Sequence, residues 1–206
     1  MAKKADGQQQ AVKAALALAG ELGWRRVTLA GIAAEAKVPL ADMYRYFPSK
    51  MAVLAGFGRL VDEAMLADGP ADPQDPPRDR LFDLLMRRFD ALVPYRPGVT
   101  AIARDLRADP LAALAQLPQL ERSMRWALEG ADIPVRGVLG LAKVRVLATL
   151  YLLVLRVWID DDTPDMARTM KALDSRLNQA DQLAATLERG GRRHTPPADP
   201  PPDTVA

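Results

Sequence analysis

Residues 28–47 read TLAGIAAEAKVPLADMYRYF and constrain the fold more than any other stretch. Leu29, Ile32 and Ala33 fall at helical spacing, then Lys37-Val38-Pro39 interrupts, and Met43 and Phe47 resume the spacing four residues apart. The pattern predicts two short helices, about Thr28–Ala36 and Leu40–Tyr46, separated by a tight turn. Such a pair cannot bury its own apolar positions and needs a longer helix behind it; this is the helix-turn-helix arrangement. Three of the eleven aromatic residues, Tyr44, Tyr46 and Phe47, crowd into its last four positions.

The flanking sequence supplies the support. Val12, Ala15, Leu16, Ala19 and Leu22 form an i, i+3, i+4, i+7 stripe, which predicts a first helix from Gly7 to Leu22. Asp6 and Gln9 have capping-box spacing at its start, and Gly23 closes it. A fourth helix is expected behind Ser49, running to about Leu66. The segment from Ala67 to Arg80 holds four prolines and reads as a loop. Beyond it, helices are expected near 80–93, 98–107, 111–130, 136–160 and 164–189, with Pro94, Pro97, Pro110, Pro118, Pro134 and Pro164 as punctuation or first-turn residues. Ala and Leu dominate, and no segment alternates apolar and polar residues for long, so the expected class is all-α. From Gly190 onward five prolines and almost nothing apolar predict a disordered tail.

Composition removes whole classes of chemistry. There is no Cys, and the single His, His194, lies in that tail, so thiolate catalysis, Ser–His–Asp catalysis and Cys or His metal sites have no residues to use. The acidic run Asp160-Asp161-Asp162-Thr163-Pro164-Asp165 reads as the start of the last helix, capped by Asp162 or Thr163, rather than as a metal site. No enzyme, metal or cofactor is expected. Charge is divided unevenly. Residues 1–60 carry nine bases (Lys3, Lys4, Lys13, Arg25, Arg26, Lys37, Arg45, Lys50, Arg59) against four acids (Asp6, Glu21, Glu35, Asp42), while the chain as a whole is only +2. A basic first third on a mildly acidic body points to a polyanion partner for the first third alone. MAKKADGQQQ has no apolar run behind its lysines, so no secretory signal and a cytoplasmic location are expected. Val138–Ile159 is apolar enough to suggest a membrane span, but Lys143, Arg145 and Arg156 interrupt it; a buried helix without stable membrane insertion is expected.

Val27-Thr28, Ile32-Ala33, Glu35-Ala36, Val38, then Tyr44-Arg45-Tyr46-Phe47-Pro48-Ser49-Lys50 and Leu54 resemble the TetR family of bacterial transcriptional regulators over about residues 7–57. The resemblance implies a helix-turn-helix DNA-binding domain at 1–57, a helical ligand-binding and dimerisation domain at 58–189 and the tail at 190–206. It implies that Tyr44, Tyr46 and Lys50 contact phosphates, that Thr28 caps the second helix near the DNA backbone, and that Leu40, Ala41 and Arg45 face base edges. Phe47 is expected in the core. The chain departs from the family pattern at Lys37, where the turn usually has Gly, at Pro39, where Ser or Thr usually caps the recognition helix, and at Asp42, a carboxylate on that helix.

The family reading further implies a homodimer through the last two helices on a near-palindromic, double-stranded DNA operator, acting as a ligand-responsive repressor. Leu139 to Ile159 is apolar on most of its circumference, and Met166, Met170, Leu173, Leu177, Ala180 and Leu183 follow at helical spacing in the next helix. Phe82, Met86, Phe89, Met124, Trp126, Tyr151 and Trp158 are the candidate lining of a pocket for an apolar small-molecule or lipid effector. Tyr151, Trp158–Asp165 and Leu173–Leu177 also resemble the TetR-fold lipid-binding accessory proteins of ubiquinone biosynthesis, which implies the alternative of a lipid carrier that does not bind DNA.

Overall fold

A computed structural model describes residues 2–69 and 72–192, with side chains described from residue 6 to residue 182 outside the gap. Among the described residues it contains nine α-helices and no strand: α1 Ala2–Leu22, α2 Leu29–Glu35, α3 Leu40–Tyr46, α4 Lys50–Leu66, α5 Pro77–Leu92, α6 Arg96–Arg107, α7 Pro110–Gly130, α8 Gly137–Ile159 and α9 Ala167–Arg192. Short 3-10 turns at Trp24–Arg26 and Val93–Tyr95 precede α2 and α6.

The first third closes by local capping. The Thr28 hydroxyl accepts from the Gly31 N–H at 3.0 Å, and the Ser49 hydroxyl accepts from the Ala52 N–H at 3.1 Å, so α2 and α4 each start with one exposed donor satisfied. Lys37 sits after α2 at φ 55°, and the Val38 N–H donates to the Ala33 carbonyl at 2.9 Å. That is the left-handed helix stop usually built on glycine, made here by a lysine. Pro39 stands at the N-cap of α3 and offers no side-chain cap.

Several boundaries differ from the sequence reading. α1 starts at Ala2 rather than Gly7, because Ala2-Lys3-Lys4-Ala5 are good helix formers and carry the helix through Asp6, so no capping box forms there. Pro118 lies inside α7 instead of ending a helix; the carbonyl it frees belongs to Leu114, which is exposed and can turn to water. α9 starts at Ala167, since Met166 has φ 53° and breaks the helix before it. Its cap is neither Asp162 nor Thr163 alone. The buried Asp161 carboxylate accepts from the Thr163 N–H and hydroxyl and from the Thr169 N–H and hydroxyl, at 2.6–3.2 Å, while the Thr163 hydroxyl accepts from the Ala167 N–H at 3.0 Å. Burial alone pushes the Asp161 carboxyl up, but these four donors outweigh it and hold it far below the ordinary carboxylate range. Helix α9 continues to Arg192, past the point where the tail was expected; the rest of the expected tail, His194 included, lies outside the described residues.

One core runs through the molecule. Ala15, Leu16, Ile32, Met43 and Phe47 fill the first third, and Leu84, Leu85, Phe89, Met124, Val154, Trp158 and Leu173 fill the body. Helix α4 passes unbroken through residue 57 and serves both parts. Helix α6 lies against α1 so closely that a Cβ on Gly98 would sit 2.3 Å from the Leu16 carbonyl oxygen. Across the body, Arg88 of α5 is buried and paired with Asp62 of α4, and the Ser123 hydroxyl of α7 donates to the same carboxylate at 2.8 Å.

Helix α8 is, among the described residues, the one helix long and apolar enough to cross a membrane. Val144, Leu147, Tyr151, Val154 and Trp158 turn its inner face into the core, whereas Val138, Leu139, Val146, Leu152 and Leu153 are exposed on its outer face. The expected burial on all sides is thus met on one side within the single chain.

Candidate nucleic-acid interface

Helix α3 is seven residues long and is pinned by Met43, wholly buried, and by Phe47, buried just beyond its end. Two anchors four residues apart fix the rotation of so short a helix and decide which side faces out. The outward row is Leu40, Ala41, Tyr44 and Arg45. Tyr44 is 78% exposed and Leu40 57%, large apolar areas that the fold leaves uncovered. The structure therefore brings together four of the seven residues singled out in the sequence.

The other three lie at the flanks, each with a local duty. Thr28 is exposed, but its hydroxyl serves α2. Tyr46 is half-buried and packs onto α1, where a Cβ on Gly7 would come within 3.1 Å of its hydroxyl oxygen. Lys50 folds back: its Nζ donates to the Trp24 carbonyl at 2.7 Å and to the Arg25 carbonyl at 3.5 Å, and stands 4.7 Å from the centre of the Trp24 ring. Burial lowers the pKa of this ammonium, and the nearby Asp105 pulls the other way.

Asp42 has a partner on its own helix. The Arg45 guanidinium donates to its carboxylate at 3.2 Å, an i, i+3 pair open to solvent. Such a pair adds little to stability. Its effect is on charge, because Asp42 neutralises the base of the outward row until a stronger partner takes one of the two.

Two participants were missed in the sequence. Trp24 is the seat of Lys50, and its signal was local: a buried aromatic just behind Gly23, whose φ of 80° turns the chain after α1. Asp105 of α6 accepts from the Arg25 N–H at 2.8 Å, across 80 residues, and no local pattern could have paired them.

In the body, Phe89 stacks on Tyr151 at 5.1 Å and on Trp158 at 6.4 Å, with Met124 buried beside the same core. Phe82 and Met86 are half-buried at its edge, and Trp126 is 51% exposed, apart from the stack. None of the seven lines either of two grooves found among the described residues. One, of about 320 Å³, lies between α7 and α8 at Leu117, Glu121, Arg145 and Leu152; the other, of about 420 Å³, follows the α1–α6 contact.

Comparison with known proteins agrees with this architecture. Residues 11–56 match the sequence model described as bacterial regulatory proteins, tetR family. No curated protein matches the sequence. Among solved structures, a TetR transcriptional regulator from Nitrosomonas europaea superposes with a TM-score of 0.68 at 22% identity, covering 85% of this chain and 98% of that one. A TetR regulator from Rhodococcus sp. RHA1 gives 0.61 at 22% identity over 85% and 97%. A tetR-family regulator from Streptomyces coelicolor gives 0.57 at 20% over 94% and 91%. Residues 11–56 are therefore similar to the sequence model described as bacterial regulatory proteins, tetR family, and the chain shares the fold of these solved regulators.

Proposed function

We propose that this protein is a transcriptional repressor that binds a near-palindromic DNA operator as a homodimer and releases it on binding an apolar small molecule or lipid. The observation that carries the reading is the outward row of α3. A helix too short to be stable alone is locked by Met43 and Phe47 so that Leu40, Ala41, Tyr44 and Arg45 are exposed. In a major groove, Leu40, Ala41 and Arg45 face base edges while the Tyr44 hydroxyl reaches a phosphate. Thr28, Tyr46 and Lys50 border the same edge and serve the DNA backbone. Residues 1–57 form the DNA-binding unit and 58–189 the regulatory unit.

The exposed Val138, Leu139, Val146, Leu152 and Leu153 of α8 support dimerisation, since this much apolar surface on one helix calls for a partner. In a two-fold pair, α8 supplies the apolar centre. Helix α9 supplies a polar flank, where Arg168, Lys171, Ser175 and Arg176 are exposed. The effector site is assigned to the ring stack of Phe89, Tyr151 and Trp158 with Phe82, Met86 and Met124. A ligand entering that closed core must repack it, and repacking is what shifts the dimer between two arrangements.

The test is binding of the full chain to duplex DNA from its own upstream region and to unrelated duplexes. Tighter binding to the upstream duplex by at least about a thousandfold is expected of a specific regulator. Equally weak binding to all duplexes, with a lipid co-purifying in the mass spectrum, overturns the reading in favour of the lipid carrier.

A further inference from the structure

The contact between the body and the first third converges on one acidic side chain. Asp105, near the end of α6, is half-buried, and its Oδ2 accepts from the backbone N–H of Arg25 at 2.8 Å. The Arg25 guanidinium adds a second tether, donating to the Ala108 carbonyl at 3.4 Å. Both tethers act on the 3-10 turn Trp24–Arg26. The carbonyls of Trp24 and Arg25 in that turn are the two acceptors of the Lys50 ammonium. An ammonium has three protons. Two face this turn, which leaves a third for an acceptor outside it.

We infer that Asp105 is a positioning residue for DNA binding, holding from the body the turn whose carbonyls aim Lys50 at a phosphate. The inference rests on the DNA-binding reading above. A lysine side chain has four rotatable bonds, and orienting it beforehand removes much of the entropy it would otherwise lose on meeting a phosphate. The tether also gives the body a direct grip on a DNA contact. A shift of α6 that draws Asp105 away from the Arg25 N–H loosens the turn, and Lys50 loses its fixed direction.

The chemistry gives two variants that separate position from charge. Asp105→Asn removes the negative charge but keeps a carbonyl oxygen for the Arg25 N–H. Asp105→Ala removes both. If Asp105 mattered only as a charge repelling DNA, the two variants would bind DNA equally, and more tightly than the wild type. The positioning role predicts opposite signs. Asp105→Asn binds a mixed-sequence duplex as tightly as the wild type or more so, with an unchanged salt slope. Asp105→Ala binds several-fold more weakly, and its log–log salt slope falls by about one, the change expected when one phosphate contact is lost. Asp105→Ala is also expected to cost little in a Lys50→Ala background, because the two residues act as one unit.

A second readout needs no DNA. Acetylation of Lys50 in the full chain, followed by mass spectrometry against the exposed Lys37 and Lys171, is expected to be several-fold faster in Asp105→Ala than in the wild type or Asp105→Asn. Equal Lys50 acetylation in all three proteins overturns the inference. So does an unchanged salt slope for Asp105→Ala on a duplex that the wild type binds. A wild-type protein that binds no duplex would overturn the proposed function instead, and would leave the acetylation comparison to decide whether Asp105 holds the turn.

Discussion

The first third and the body are both helical, but they are held together by different means. The helix starts and stops of the first third are short-range bonds, since Thr28 to Gly31, Ser49 to Ala52 and the Lys37 stop after α2 each span a few residues, and Lys50 to Trp24 is the longer bond that closes it. The body relies on bonds that cross the chain. Arg88 reaches Asp62, Arg78 reaches Asp174, and Arg96 donates to the carbonyls of Trp158 and Asp161. Local bonds fix the shape of a reading head, which must present α3 in one orientation. Long-range bonds tie the helices of the body to one another, and under the proposed function they are the bonds that an effector has to rearrange.

This difference predicts a gradient of sensitivity. The largest loss of stability is expected from Arg88→Leu, which leaves the Asp62 carboxylate buried without its partner, at a cost of about 3–5 kcal/mol in denaturant unfolding. Gly98→Ala comes next. Its methyl cannot fit beside the Leu16 carbonyl unless α1 and α6 separate, and about 2–3 kcal/mol is expected, with weakened DNA binding because the joint between the two parts is forced open.

Asp161→Asn sharpens the comparison through its pH dependence. An amide cannot accept from all four donors of Thr163 and Thr169, so about 1–3 kcal/mol is expected at neutral pH. The folded protein holds the Asp161 pKa down, so the carboxylate's contribution is present above the ordinary aspartate range near 4 and fades as pH falls below it. The gap in melting temperature between wild type and variant should therefore close on acidification; a constant gap would contradict the assigned cap. The smallest effects belong to the first third: Thr28→Ala and Ser49→Ala should each cost about 1 kcal/mol, and the two should add.

The same contrast explains what could be read in advance. Helices α2, α3 and α4 were legible to within a residue because Thr28, Ser49 and the spacing of Met43 and Phe47 are local signals. The tolerance of Lys37 for a left-handed backbone was legible as a requirement, since the turn demands it whichever residue is present. In the body, helices were found by their periodicity, but their partners were not. Nothing near Asp161 distinguishes it from Asp160 or Asp162 until Thr169 folds back onto it, and nothing near Asp105 points to Arg25. The candidate pocket illustrates the same limit. Aromatic residues at helical spacing mark the interior, but only packing shows that Phe89, Tyr151 and Trp158 stack while Trp126 stays outside.

On α3, Asp42 departs from the family pattern as a carboxylate, and the structure pairs it with Arg45 of the same helix. Tyr44→Phe should weaken binding to all duplexes alike, whereas Arg45→Ala should change which base is preferred at one position in each half-site. The most direct test of the account is selection of preferred sites from a random duplex pool by the full-length protein. An inverted repeat with half-site centres about 34–36 Å apart, or a multiple of that spacing, is the predicted result. A pool that shows no enriched sequence, or a single unrepeated half-site, would contradict it.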